Sequence, residues 1–118
     1  MTLKDVAQEL AARVLVGVDE DLAQKVETVA AGDLMSDILA RADIPDLLVT
    51  GLATIQTIRT ASVAGIKTVI IVRGKVATEE MIELAREEGL LLMVTKMKLF
   101  EAAGRLWAKG LRTGEPRA

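Results

Sequence analysis

Four short segments hold the residues best suited to chemistry: Gly32-Asp33, Thr50-Gly51, Arg73-Gly74-Lys75 and Thr95. Glycine lets backbone approach a ligand closely, threonine offers a hydroxyl, and arginine and lysine pair with phosphate. Each segment follows an apolar run and precedes a loop or helix start, where backbone N–H groups are free to meet an anion. These eight residues are the candidate ligand contacts. The same residue types also serve as ordinary turn and cap residues, and both readings stand at this point. A dinucleotide or Walker-type site is unsupported, because the chain has neither GxGxxG nor GxxxxGK(S/T).

The chain has no histidine and no cysteine. That removes imidazole acid–base chemistry, thiol nucleophiles and nearly all zinc sites. Asp33 and Asp37 stand four apart and suit a metal or general-acid pair. They equally suit a helix N-cap followed by a solvated carboxylate, which is the simpler reading. Arg59 sits one position off an apolar stripe and either meets a carboxylate at a subunit seam or snorkels to water. Glu101 and Arg105, also four apart, read as a helix ion pair. No catalytic residue, metal site or cofactor is assigned.

These segments must be positioned by short β–α units. The stretch from Asp46 to Gly65 is the clearest: the apolar run Leu47–Val49 stops at Thr50-Gly51, and a helical period runs from Thr54 to Gly65. Around it the sequence predicts helices at Thr2–Ala12, from Asp33 as N-cap to Arg41, at Thr78–Gly89 and at Lys98–Lys109. Strands are predicted at 13–17, 24–31, 68–72 and 90–94. The continuous β-branched run Thr68–Val72 has the composition of a strand buried on both faces. A faint echo relates Leu47–Thr50 to Leu92–Thr95; each opens a helical stretch closed by a glycine, Gly65 and Gly110. The expected fold is an α/β sandwich of two or three layers. Its sheet is largely parallel, with about five to six strands and repeated β–α units. Ligands of such sheets bind outside the carboxyl ends of the strands, where the four segments lie.

At 118 residues the chain reads as one domain over 1–109 with a flexible tail over 110–118. The hydrophobic fraction is 51% and mean hydropathy +0.34, yet no apolar run is long enough to span a membrane. Surplus apolar surface of this kind goes into subunit interfaces, so a homodimer is expected. Ile55, Arg59, Phe100 and Trp107, on the helices at Thr54–Gly65 and Lys98–Lys109, are its candidate residues. Residues 1–95 hold nine basic and fifteen acidic side chains, and 96–118 six basic and two acidic. An acidic body with a basic end lacking interleaved aromatics does not suit nucleic acid. Lys4, Asp5, Gln8 and Glu9 interrupt any leader-like apolar segment, so a cytoplasmic location is expected.

At Gly32-Asp33-Leu34-Met35-Ser36-Asp37, at Thr50-Gly51 and at Phe100–Leu106, the chain resembles the DRTGG domain family, in order and over most of residues 1–107. Val72–Lys75, the acidic helix to Gly89 and the strand ending in Thr95 fit the same pattern. Leu52 stands where the family has a second glycine. The family occurs as stand-alone proteins, beside CBS domains and within phosphotransacetylases, and is similar in fold to the N-terminal domain of HPr kinase. The resemblance implies a non-enzymatic regulatory and dimerisation module. The alternative is a sensor of a nucleotide or other small anion at the strand ends.

Overall fold

Runs such as Leu47–Val49 and Val69–Val72 are apolar at every position, so they are stable only when both faces of the sheet are covered. The computed structural model, which describes residues 1–114, shows that arrangement. Its strands are β1 (Arg13–Val16), β2 (Val29–Ala31), β3 (Leu47–Thr50), β4 (Thr68–Ile71) and β5 (Leu91–Val94). Its helices are α1 (Leu3–Glu9), α2 (Asp19–Leu22), α3 (Met35–Leu39), α4 (Ile55–Ala64), α5 (Glu79–Glu87) and α6 (Leu99–Ala108).

The sheet order is β1-β5-β4-β3-β2. β2 to β5 are parallel, and β1 alone runs antiparallel, pairing Arg13 with Val94 and Val14 with Met93. From β2 to β5 the chain steps across the sheet in one direction. Right-handed crossovers therefore place α3, α4 and α5 on a single face. α1 and α6 cover the other, which makes three layers. Alternate strand residues feed the two cores: Leu47, Val49, Ile70, Leu91 and Met93 pack toward α1 and α6. Leu48, Val69, Ile71 and Leu92 pack toward α3, α4 and α5.

The helix ends follow local chemistry. Thr2 and Asp5 form a capping box, with the Asp5 amide donating to Thr2 Oγ1 at 3.2 Å and the Thr2 amide to Asp5 Oδ2 at 2.9 Å. Thr78 Oγ1 accepts from the Met81 amide at 3.1 Å. Gly65 closes α4 at φ 81°, while the Ile66 amide reaches Ala61 O at 2.8 Å.

Three expectations need correction. The strand expected at 24–31 shortens to Val29–Ala31. The N-cap of the helix after Gly32 is Leu34, not Asp33, and no side chain caps it. The tail does not leave the body at Gly110. Leu111 is buried, the Arg112 amide donates to Glu27 O at 3.0 Å, and Arg112 O accepts from the Val29 amide at 2.8 Å. Of the expected tail, 115–118 lie outside the described residues.

Candidate functional site

The expected ligand residues all lie at the carboxyl edge of the parallel strands, but they divide into two groups. The first surrounds the end of β3. Asp33 Oδ1 accepts from the Gly51 amide at 2.7 Å and from Thr50 Oγ1 at 3.0 Å, while Thr50 Oγ1 accepts from the Leu52 amide at 3.1 Å. Arg73 Nη2 lies 3.7 Å from Asp33 Oδ2 and donates to Gly51 O at 3.4 Å. Gly51 supplies the space for that guanidinium, since a Cβ there would stand 2.6 Å from it. Asp33 is thus a crosslink between the β2 and β3 ends. Its negative charge and the Arg73 charge offset each other at this cluster. Gly32 adds no ligand group: its amide donates to Val49 O at 3.0 Å.

The second group surrounds the ends of β4 and β5. Arg73 and Gly74 both take left-handed backbone, φ 68° and 66°. Their amides donate to Met97 O at 2.8 Å and Thr95 O at 3.0 Å. Thr95 is buried; its hydroxyl donates to Leu10 O at 2.6 Å and accepts from the Met97 amide at 3.2 Å. Beside this turn an open cleft of about 950 Å³ runs between the α5 and α6 layers. Gly74, Lys75 and Thr95 line it. Its apolar wall includes Leu10, Leu15, Ile82, Val94 and Met97, and three cations, Arg13, Lys75 and Lys96, stand around it. None of the three forms an ion pair among the described residues.

Glu101 is the carboxylate of the cleft lining, and it is committed to Arg105 at 3.3 Å. Arg105 also meets Glu9 at 3.1 Å, and Lys109 Nζ approaches Glu9 at 3.5 Å. The hydrogen bond from Arg105, with Lys109 nearby, holds the Glu9 carboxyl below the ordinary glutamate range; Glu9 and Glu101 together raise Arg105. Among the described residues no three acidic side chains gather as a metal site.

Sequence reasoning missed the contribution of the α1–β1 connection, Leu10 and Ala11, and of Arg13 at the start of β1. Antiparallel pairing of β1 with β5 brings these residues, and Leu15 of β1, to a cleft otherwise built from residues 74–101. Ala11 is held at φ 50° there.

The candidate interface residues fall on opposite faces. Ile55 is half-buried and Arg59 exposed on α4, in the layer with α3 and α5. Arg59 makes no ion pair among the described residues. Phe100 and Trp107, seven apart on α6, are 92% and 56% exposed on the far side of the sheet. The Arg112 guanidinium covers the Trp107 ring at 3.9 Å. One two-fold seam therefore cannot centre on both helices.

Comparison with protein-family models and with curated proteins returns no match. Among solved structures, the chain superposes on the CBS and DRTGG domains of the regulatory region of Clostridium perfringens pyrophosphatase, determined with its activator diadenosine tetraphosphate. The TM-score is 0.75 at 18% identity, over 95% of this chain and 48% of the other, so the chain spans about half the length of that structure. At that identity the likeness is one of fold. It agrees with the α/β architecture and with a DRTGG-type domain.

Proposed function

We propose that this protein is a regulatory module that binds a small ligand at the carboxyl edge of its sheet without transforming it. The observation that supports the reading is the cleft between the α5 and α6 layers. A volume of about 950 Å³ is of the size that takes a whole metabolite. Among the described residues the ionisable lining consists of three cations without carboxylate partners and one carboxylate already held by Arg105. Such a lining binds and orients an anion, but it offers no poised general base and no activated nucleophile. The structural neighbour is itself a regulatory region that binds a nucleotide activator, which fits the same class of role. A thermal-shift panel of nucleotides, phosphate, acetyl phosphate and uncharged metabolites tests the reading. A ligand at 100 times its Kd should add about 2.7 kcal/mol to stability. No shift across the panel would overturn it.

A second reading rests on a separate observation. Phe100 is almost fully exposed on α6 and Trp107, beneath Arg112, is exposed beside it, and aromatic side chains dominate interface anchors. The module then acts as a homodimer joined through α6. Light scattering at micromolar concentration checks this: the dimer should persist in wild type and dissociate in Phe100→Glu. A strict monomer overturns it.

A further inference from the structure

We propose that the α5–α6 cleft is a two-part site for an organic polyphosphate, with Arg13, Lys75 and Lys96 taking the phosphoryl groups and the aliphatic wall taking the body. This rests on the ligand-binding reading above and narrows it to a chemical class and a set of residues.

Three features point the same way. First, the cations come from three separate chain segments and meet at one cleft. Arg13 opens β1 opposite Val94, Lys75 follows the Arg73-Gly74 turn, and Lys96 follows Thr95. The turn lies close to Lys96, since a Cβ on Gly74 would stand 3.9 Å from the Lys96 Cα and Cγ. In a chain of net charge −2, three cations around one cleft, none ion-paired among the described residues, concentrate positive potential where an anion would enter. One monoanion would leave two of them unmatched, so the complement carries two or more charges.

Second, the wall from Leu10, Leu15, Ile82, Val94 and Met97 is aliphatic, and Thr95 spends its hydroxyl on Leu10 O. A small inorganic anion would leave that surface wet. A ligand with an apolar body covers it and gains from burial. The body is recognised by fit rather than by side-chain hydrogen bonds, so it is either a flat heterocycle or a hydrocarbon chain.

Third, the described residues hold two non-glycine residues in left-handed backbone, Ala11 and Arg73. Ala11 lines the cleft and Arg73 directly precedes its Gly74-Lys75 margin. Such conformations persist where surrounding structure enforces them, and they concentrate at binding sites. Arg73 itself is turned away to Asp33 and Gly51, and is not one of the three cations.

The test is isothermal titration of the full chain with ADP, geranyl diphosphate, inorganic pyrophosphate and adenosine, repeated on Lys75→Ala/Lys96→Ala, Arg13→Ala and Arg73→Ala. ADP or geranyl diphosphate should bind at least tenfold more tightly than pyrophosphate or adenosine; which one does so separates a heterocyclic from a hydrocarbon body. The lysine double variant and Arg13→Ala should each weaken binding about tenfold or more, and Arg73→Ala should change it less than twofold. Thermal melts of the free variants show that they fold. Pyrophosphate binding as tightly as the organic diphosphates overturns the two-part site. Loss of binding in Arg73→Ala with retention in the lysine variant also overturns it, by moving the anion to the β3 end. If none of the four ligands binds but another metabolite shifts the melt, this proposal falls and the broader ligand-binding reading stands. Silence in both experiments removes both.

Discussion

Thr50 and Thr95 stand at the ends of two buried parallel strands and make the same local turn. In each, Oγ1 accepts the amide of the residue two ahead, Leu52 at 3.1 Å and Met97 at 3.2 Å. A helix follows in both cases and closes at a glycine, Gly65 or Gly110. Beyond the turn the two ends diverge. At β3 the hydroxyl donates to Asp33, and Arg73 moves in beside that carboxylate, so the end is sealed by its own charges. At β5 the hydroxyl donates to a distant backbone carbonyl, Leu10 O, and Lys75 and Lys96 form no ion pair among the described residues. One strand end is closed and the other is left open by the same residue type. The partner of the hydroxyl makes the difference, and the turn itself does not.

The largest expected effect tests that contrast directly. Thr95→Val keeps the shape but removes a buried donor, and leaves Leu10 O and the Met97 amide without partners. It should destabilise by about 2–3 kcal/mol. Thr50→Val, whose partner Asp33 is half-exposed and keeps the Gly51 amide, should cost about 1 kcal/mol. Urea unfolding with unchanged m-values measures both. Equal losses would break the comparison. Next comes the closed end itself. Asp33→Ala deletes the acceptor for two donors and should cost about 1–2 kcal/mol. Asp33→Asn keeps an oxygen for both donors and loses only a half-exposed ion pair at 3.7 Å, an effect below about 1 kcal/mol. If Asn were as damaging as Ala, charge rather than the crosslink would be sealing β3.

The open end shows why some of the site was legible in the sequence and some was not. β-branched runs and glycine stops are local signals, so Thr68–Ile71, the α4 helix and the Gly65 cap were readable. Thr50, Gly51, Gly74, Lys75 and Thr95 were readable as edge residues, because β–α grammar alone puts them there. Aspartate before a helical period is a strong local cue, so the sequence points Asp33 to a helix cap that the fold gives to Leu34. The actual partners of Asp33 are 17 and 18 residues away. Leu10, Ala11 and Arg13 were invisible as cleft residues, since a four-residue strand holds no record of its direction or neighbour. Leu111 did leave a signal. An apolar residue directly after a helix-closing glycine often packs back on the last turn, and the Leu111 amide reaches Leu106 O at 3.1 Å. Glycine and proline content nearby outweighed it.

A smaller change probes strain at the open end. Ala11 closes α1 with the Ala12 amide on Ala7 O at 2.8 Å, a left-handed position usually held by glycine. Ala11→Gly should stabilise by about 0.5–1 kcal/mol in thermal or urea unfolding. A loss of stability would mean that the alanine methyl is needed in the cleft wall.

The smallest effect concerns the Arg105 network that holds the cleft carboxylate, Glu101. Arg105 holds both Glu101 and Glu9, which leaves the cleft cations without a counter-charge. The Glu9 carboxyl is held below its ordinary range by that guanidinium. A depressed carboxylate contributes stability above its unfolded pKa, about 4.3, and loses it as pH falls through the lower folded value. Glu9→Gln should therefore be slightly less stable than wild type at pH 7. The two should converge as pH falls below the unfolded value and wild-type Glu9 gains its proton. Urea midpoints at pH 7, 5 and 3 read this convergence, and added salt should shrink the pH 7 gap, because the pair is exposed. A gap that did not narrow as pH fell would assign the role of Glu9 to packing.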